Sequence, residues 1–218
     1  MLEARNLTCV RGDRTLFRDV SLTVSPGTLL QVEGPNGSGK TSLLRIVCGL
    51  MQPVAGEVLW QEKKIHDQDE SFTNALSYLG HRNGIKEELT PLENLHITCG
   101  LAGAAIPTET AVSALKRVGL ETRQNLPSRF LSEGQKRRSA LARLIARDSE
   151  LWVLDEVLAA LDSGAMALVR SLIDEHLGRG GMAIVATHQE LQLKADAIKR
   201  LDLGTAVSSG VDSSERSS

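Results

Sequence analysis

Gly34-Pro35-Asn36-Gly37-Ser38-Gly39-Lys40-Thr41 has the spacing G-x-x-x-x-G-K-[ST] and lies between two apolar runs, Thr28 to Glu33 and Thr41 to Leu50. A short strand, a glycine-rich loop and a helix in that order confine the chain to an α/β core. The loop of such a core aims backbone N–H groups at phosphate oxygens. The glycines remove Cβ obstruction, and the helix N-terminus adds partial positive charge. In this arrangement Lys40 neutralises charge on the β- and γ-phosphates and the Thr41 hydroxyl is a ligand for Mg²⁺. Gly34, Pro35, Asn36, Gly37, Ser38, Gly39, Lys40, Thr41 and Ser42 are the predicted nucleotide-contacting set.

The rest of the chain fits that core. Val20, Leu22 and Val24 alternate with Ser21 and Thr23, the period of a half-buried strand, and the first 33 residues read as strands. Ser25-Pro26-Gly27 and Pro53 to Gly56 are turns, and Glu57 to Gln61 is a further strand. From Thr90 to Leu131 the pattern is helical: Glu93-Asn94-Leu95 opens one helix, and Val112, Leu115 and Val118 space a second. This stretch reads as a helical subdomain, about 90–147, inserted in the core. Helices at Ser132 to Arg147 and Ser163 to Leu177 alternate with apolar strands at Leu151 to Leu154 and Met182 to Thr187. That order predicts a parallel sheet. His66, His96 and His176 are expected on the surface, and the Ser-rich residues 205–218 as a flexible tail.

Composition narrows the partners. The 218 residues carry 25 Lys+Arg against 27 Asp+Glu, a net charge of −2. That balance excludes a bulk electrostatic grip on nucleic acid or anionic lipid. Cys9, Cys48 and Cys99 are too few and too scattered for a disulfide framework or a zinc site. No apolar run reaches the roughly 18 residues of a membrane span, and no export-type apolar segment opens the chain.

Leu151-Trp152-Val153-Leu154-Asp155-Glu156 is an apolar strand ending in two acids. Asp155 faces the loop as a second metal ligand, and Glu156 is placed to orient or deprotonate an attacking water. Leu131-Ser132-Glu133-Gly134-Gln135 reads as a capping box, with Ser132 as N-cap and Gln135 three residues on. The same five residues resemble the LSGGQ signature of ATP-binding cassette (ABC) ATPases. Ala160-Leu161-Asp162 is similar to the D-loop of that family, and Thr187-His188 to its H-loop.

The resemblance runs from residue 1 to about 204 and implies one ABC-type P-loop ATPase domain with an N-terminal antiparallel β portion. It implies that Ser132, Gly134 and Gln135 meet the nucleotide held by a facing subunit, and that His188 senses the γ-phosphate. Four places depart from the family pattern. Val157-Leu158-Ala159 follows Glu156 where proline and small polar residues are usual. The Q-loop glutamine falls on His81, and the aromatic that stacks on adenine falls near Arg11. Glu133 replaces a common glycine, so its carboxylate must point away from phosphate or be screened.

Gly80-His81, Gly84-Ile85-Lys86, Leu89-Thr90 and Glu93-Asn94-Leu95-His96 are similar to the ATP-binding subunits of cytochrome c maturation complexes, the heme exporter type. The resemblance implies ATP and Mg²⁺ as cofactors, catalysis by Glu156, His188 and Lys40, and metal binding by Thr41 and Asp155. It further implies a homodimer closed through ATP, integral-membrane transporter subunits as partners, and a peripheral position on the cytoplasmic face of the bacterial inner membrane. No direct heme binding is expected, since the chain lacks Cys-x-x-Cys-His. Two alternatives stay open on sequence: the ATPase of a different exporter, and a soluble non-transport ABC protein.

Overall fold

Alternation in the first two dozen residues folds back on itself as a hairpin, and the phosphate-loop strand begins a separate sheet. The computed structural model describes residues 1–67, 70–80, 83–157, 163–189, 191–193 and 198–204. In chain order, β1 (Leu2–Arg11), β2 (Arg14–Val24) and β3 (Leu29–Glu33) lead into α1 (Lys40–Val47). β4 (Ala55–Trp60) and β5 (Lys63–Lys64) precede the short α2 (Glu70–Ala75) and β6 (Leu76–Leu79). Next come α3 (Pro91–Leu101), α4 (Thr108–Arg117) and α5 (Glu133–Ala146). β7 (Leu151–Asp155), α6 (Ser163–Gly178), β8 (Met182–Ala186) and β9 (Ile198–Asp202) follow.

The first sheet is antiparallel, in the order β2-β1-β4-β5, with Leu2 opposite both Val24 and Trp60. The second is parallel throughout, in the order β6-β7-β8-β3-β9. Both faces of its central strands are covered, so β7 and β8 are fully buried along their length. The period of two then divides their side chains between two cores. Leu151, Val153, Met182, Ile184 and Ala186 face α1 and the antiparallel sheet, joining Leu43, Leu44, Ile46 and Val47. Trp152, Leu154, Ala183 and Val185 face the other way, onto residues of α3, α4, α5 and α6.

α1 is thus sandwiched between sheets, and its position is fixed by burial on nearly every side. It ends at Val47 with Cys48 as C-cap, next to the Gly49 at which the sequence closes it, and Gly49 takes a positive φ of 73°. β6 and β9 are strands that the sequence reading did not anticipate. β6 is short, and β9 is an edge strand whose Lys199 and Arg200 are exposed.

His176 corrects an expectation: it is buried, not on the surface. Its ring stacks on Trp152 at 4.0 Å with 7° between planes, and Nε2 lies 3.1 Å from the Met182 carbonyl. Gly181 makes room, since a Cβ there would sit 2.3 Å from the ring. His66 is exposed and His96 half-buried. His81, Leu158-Ala159, Ala160-Leu161-Asp162 and the tail 205–218 lie outside the described residues.

Candidate active site

The loop between β3 and α1 is shaped by glycine. Gly34 sits at φ 134°, where an added Cβ would lie 2.7 Å from Ser38 Oγ. Gly39, at φ 102°, is the N-cap of α1 and provides no side-chain hydrogen bond to the helix. A Cβ there would lie 3.0 Å from the Phe17 ring. The first N–H groups of α1 are therefore left open to a ligand. Ser38 Oγ is buried with no hydrogen-bond partner among the described residues, an orphan that a phosphate oxygen would satisfy.

Lys40 is buried at 5% exposure and holds its ammonium inside the loop. Nζ donates to the Gly34 carbonyl at 2.7 Å and the Pro35 carbonyl at 3.3 Å, and lies 3.1 Å from His188 Nε2. Because an ammonium can only donate, His188 accepts there through Nε2. His188 shares a cavity with Gly34 and Pro35, next to Gln31, Glu33, Arg200, Asp202 and Gly204. A second cavity, of about 370 Å³, is lined by Arg11, Arg14, Leu16, Asn36, Gly37, Gly39, Lys40, Thr41, Ser42 and Glu156. Lys40 joins the two, lining one and bonding to residues of the other.

Beneath the second cavity lies Asp155, 2% exposed at the C-terminal end of β7. The Thr41 hydroxyl donates to its Oδ1 at 3.1 Å, and the Tyr78 hydroxyl to its Oδ2 at 3.3 Å. Burial pushes the Asp155 carboxyl above its usual range, the Thr41 bond pulls it back, and the neighbouring Glu156 pushes it up again. The Tyr78 hydroxyl, raised to about 12 by burial first and then by Asp155, stays a donor. Hydroxyl and carboxylate oxygens side by side are the donor set of a hard divalent cation, so these residues fit Mg²⁺.

Glu156 reaches its cavity through unusual backbone. Its φ is 52°, in the left-handed region that a non-glycine residue rarely adopts. Its N–H donates to the Ala186 carbonyl at 3.1 Å.

The signature-like segment is elsewhere. Ser132, Gly134 and Gln135 line neither cavity. Ser132 caps α5: its Oγ accepts from the Gln135 N–H at 3.2 Å, and Gln135 Oε1 accepts from the Ser132 N–H at 3.0 Å. Glu133, whose side chain is 82% exposed, pairs with Lys136 Nζ at 3.0 Å. Lys136 also pairs with Glu87 at 2.6 Å. The carboxylate is both turned outward and screened.

The fold therefore gathers Arg11, the phosphate loop, Thr41, Ser42, Asp155, Glu156 and His188, and leaves Ser132, Gly134 and Gln135 apart. Tyr78, Arg14 and Arg137 were missed by sequence reasoning. The signal for Tyr78 was an aromatic at a strand end two residues before Gly80.

The family model described as "ABC transporter" matches residues 17–159. The "Cytochrome c biogenesis ATP-binding export protein CcmA" of Nitrosomonas europaea is 48% identical over 203 residues, 93% of this chain and 95% of that protein. The protein of the same description from Dechloromonas aromatica is 49% identical over 204 residues, 94% of this chain and all of its relative. Among solved structures, the dimeric bacterial ABC transporter cassette MJ0796 superposes with a TM-score of 0.81 at 26% identity, covering 94% of this chain and 95% of that one. A dimeric post-hydrolysis state of the same cassette, bound to ADP and Pi, gives a TM-score of 0.79 over the same shares.

Proposed function

The chain belongs to the ABC transporter family, and from that premise we propose that it hydrolyses Mg-ATP as the ATP-binding subunit of a cytochrome c biogenesis heme-export transporter. The observation that carries the chemistry is the meeting of Lys40, Thr41, Ser42 and Glu156 in one cavity over Asp155. The substrate assignment rests on relatives that share nearly half of all residues along nearly the full chain.

In this reading, loop N–H groups, Ser38 and Lys40 bind the phosphates. Thr41 and Asp155 would hold Mg²⁺, which when bound neutralises charge between β- and γ-oxygens. Glu156 takes a proton from the attacking water. His188, beside Lys40, orients at the γ-phosphate. The exposed guanidinium of Arg11 stacks on the base in place of an aromatic ring. Residues 1–204 form one ATPase domain, with its helical part at about 90–147.

One chain carries one loop and one signature-like helix end, and the two lie apart. Two chains facing each other complete two sites, with Ser132, Gly134 and Gln135 of one meeting the nucleotide of the other. The dimeric relatives support this arrangement. Among the described residues no helix is long and apolar enough to cross a membrane. In this reading, which rests on the relatives, integral-membrane subunits provide the export path and this chain sits on them at the cytoplasmic face of the inner membrane. It holds no heme itself.

Glu156→Gln tests the reading. The amide keeps the volume but cannot accept the proton. Hydrolysis is expected to fall roughly 10²–10⁴-fold while ATP still binds. Light scattering with Mg-ATP should show a trapped dimer. A variant that turns over at the wild-type rate would refute the role given to Glu156.

A further inference from the structure

Arg137 lies on α5 within the run Lys136-Arg137-Arg138, which reads as a solvated basic face. Its side chain is instead buried, at 8% exposure. The guanidinium reaches two loops at once. Nε donates to the Val157 carbonyl and Nη2 to the Glu156 carbonyl, each at 3.2 Å. Nη1 donates to Asn83 Oδ1 at 2.8 Å and to the Gly80 carbonyl at 3.3 Å.

These four acceptors are neutral. A planar fork meets them on separate loops, which a lysine ammonium could not do. One of them is the carbonyl of Glu156, whose strained left-handed backbone needs holding from outside. The Ala186 carbonyl takes its N–H at 3.1 Å, so Arg137 completes a clamp on both peptide groups of the residue.

We propose that Arg137 is a positioning residue that fixes Glu156 and couples it to the signature-like end of its own helix, linking the two ATP sites of a dimer. The inference rests on the roles given above to Glu156 and Ser132. α5 begins one turn before Arg137, at the end that meets the partner's nucleotide. Glu156 serves the nucleotide of its own chain. Occupancy at one site therefore bears, through a single helical turn and two hydrogen bonds, on the base of the other. No reacting atom is touched by Arg137.

The test uses the full chain and Mg-ATP. Arg137→Met keeps the length without the donors, and Arg137→Lys keeps the charge without the fork. Steady-state rates against ATP concentration give kcat, KM and the Hill coefficient, and titration with a fluorescent ATP analogue gives Kd. Arg137→Met should lower kcat roughly 10²-fold, as a misplaced group does, and leave Kd within about threefold. Its Hill coefficient should fall to about one, the loss of coupling between sites. Arg137→Lys should recover part of kcat. Asn83→Ala removes one acceptor only and keeps the test alive if Arg137→Met does not fold; it should lower the Hill coefficient at unchanged Kd. Wild-type kcat and Hill coefficient in these variants would overturn the inference alone, as would a parallel fall of kcat and nucleotide binding. A wild-type chain with no turnover would overturn the functional reading and this inference with it.

Discussion

The two helix ends assigned to phosphate in the proposed reading are built in opposite ways. α1 starts on a glycine at φ 102° and has no side-chain cap, so its N–H groups are open. α5 starts on Ser132 in a closed capping box, with Ser132 and Gln135 satisfying each other. The first end is left open by its glycine; the second is closed by its own side chains. The difference follows from where each finds its ligand. In the proposed reading α1 meets its own nucleotide in the cavity lined by Lys40, Thr41 and Glu156. On the same reading α5 is stable without one, because its nucleotide would arrive with a partner.

Lys40→Ala breaks the open end most severely. A charge pair at 4 Å and an effective dielectric of 20 is worth about 4 kcal/mol, so ATP affinity should fall roughly a thousandfold. Isothermal titration measures it. No change in α5 capping is expected.

Gly39→Ala and Gly134→Ala sharpen the contrast as a pair. At Gly39 a side chain meets both a positive φ and the Phe17 ring at 3.0 Å, and should cost about 1–3 kcal/mol in denaturant unfolding. At Gly134 the nearest atom is Ser132 Oγ at 4.0 Å, so unfolding should be unchanged. The Gly134 variant should fail instead in dimer trapping, against the Glu156→Gln background, because in the proposed dimer its Cβ would stand where the partner's phosphate approaches.

Ser132→Ala opens the closed end. Loss of an N-cap serine costs about 0.5–2 kcal/mol, and melting should drop by roughly 2–4 °C for each kcal/mol. ATP binding to the monomer should be untouched. The smallest effect is expected for Lys136→Ala. It removes the screen from Glu133 and should weaken the trapped dimer a few-fold with little change in melting.

Much of this was legible in the sequence because the physics was local. The phosphate loop needs glycines in a fixed order, and Ser132 with Gln135 three residues on is a cap whatever surrounds it. Leu151 to Leu154 is a short apolar run ending in two acids, the pattern of a buried strand. What escaped depended on distant chain. Tyr78 matters because β6 pairs with β7 and brings a phenol to Asp155. Arg137 reads as surface charge until two loops close over it. His176 falls on a helix that would be polar there but for Trp152 beneath it and Gly181 beside it. β9 spells Ile198-Lys199-Arg200-Leu201-Asp202, too charged to announce a strand paired with β3.

The three cysteines have a consequence outside nucleotide chemistry. Cys9, Cys48 and Cys99 are buried and unpaired, and burial raises each thiol above its ordinary range. The thiolate is the form that attacks disulfides, takes up oxidants and binds soft metals. None of the three is thus a ready nucleophile in the folded chain. The same silence makes it a clean scaffold for labelling. A cysteine placed at Leu101, 82% exposed, would be the one thiol in the folded chain that a maleimide reaches quickly.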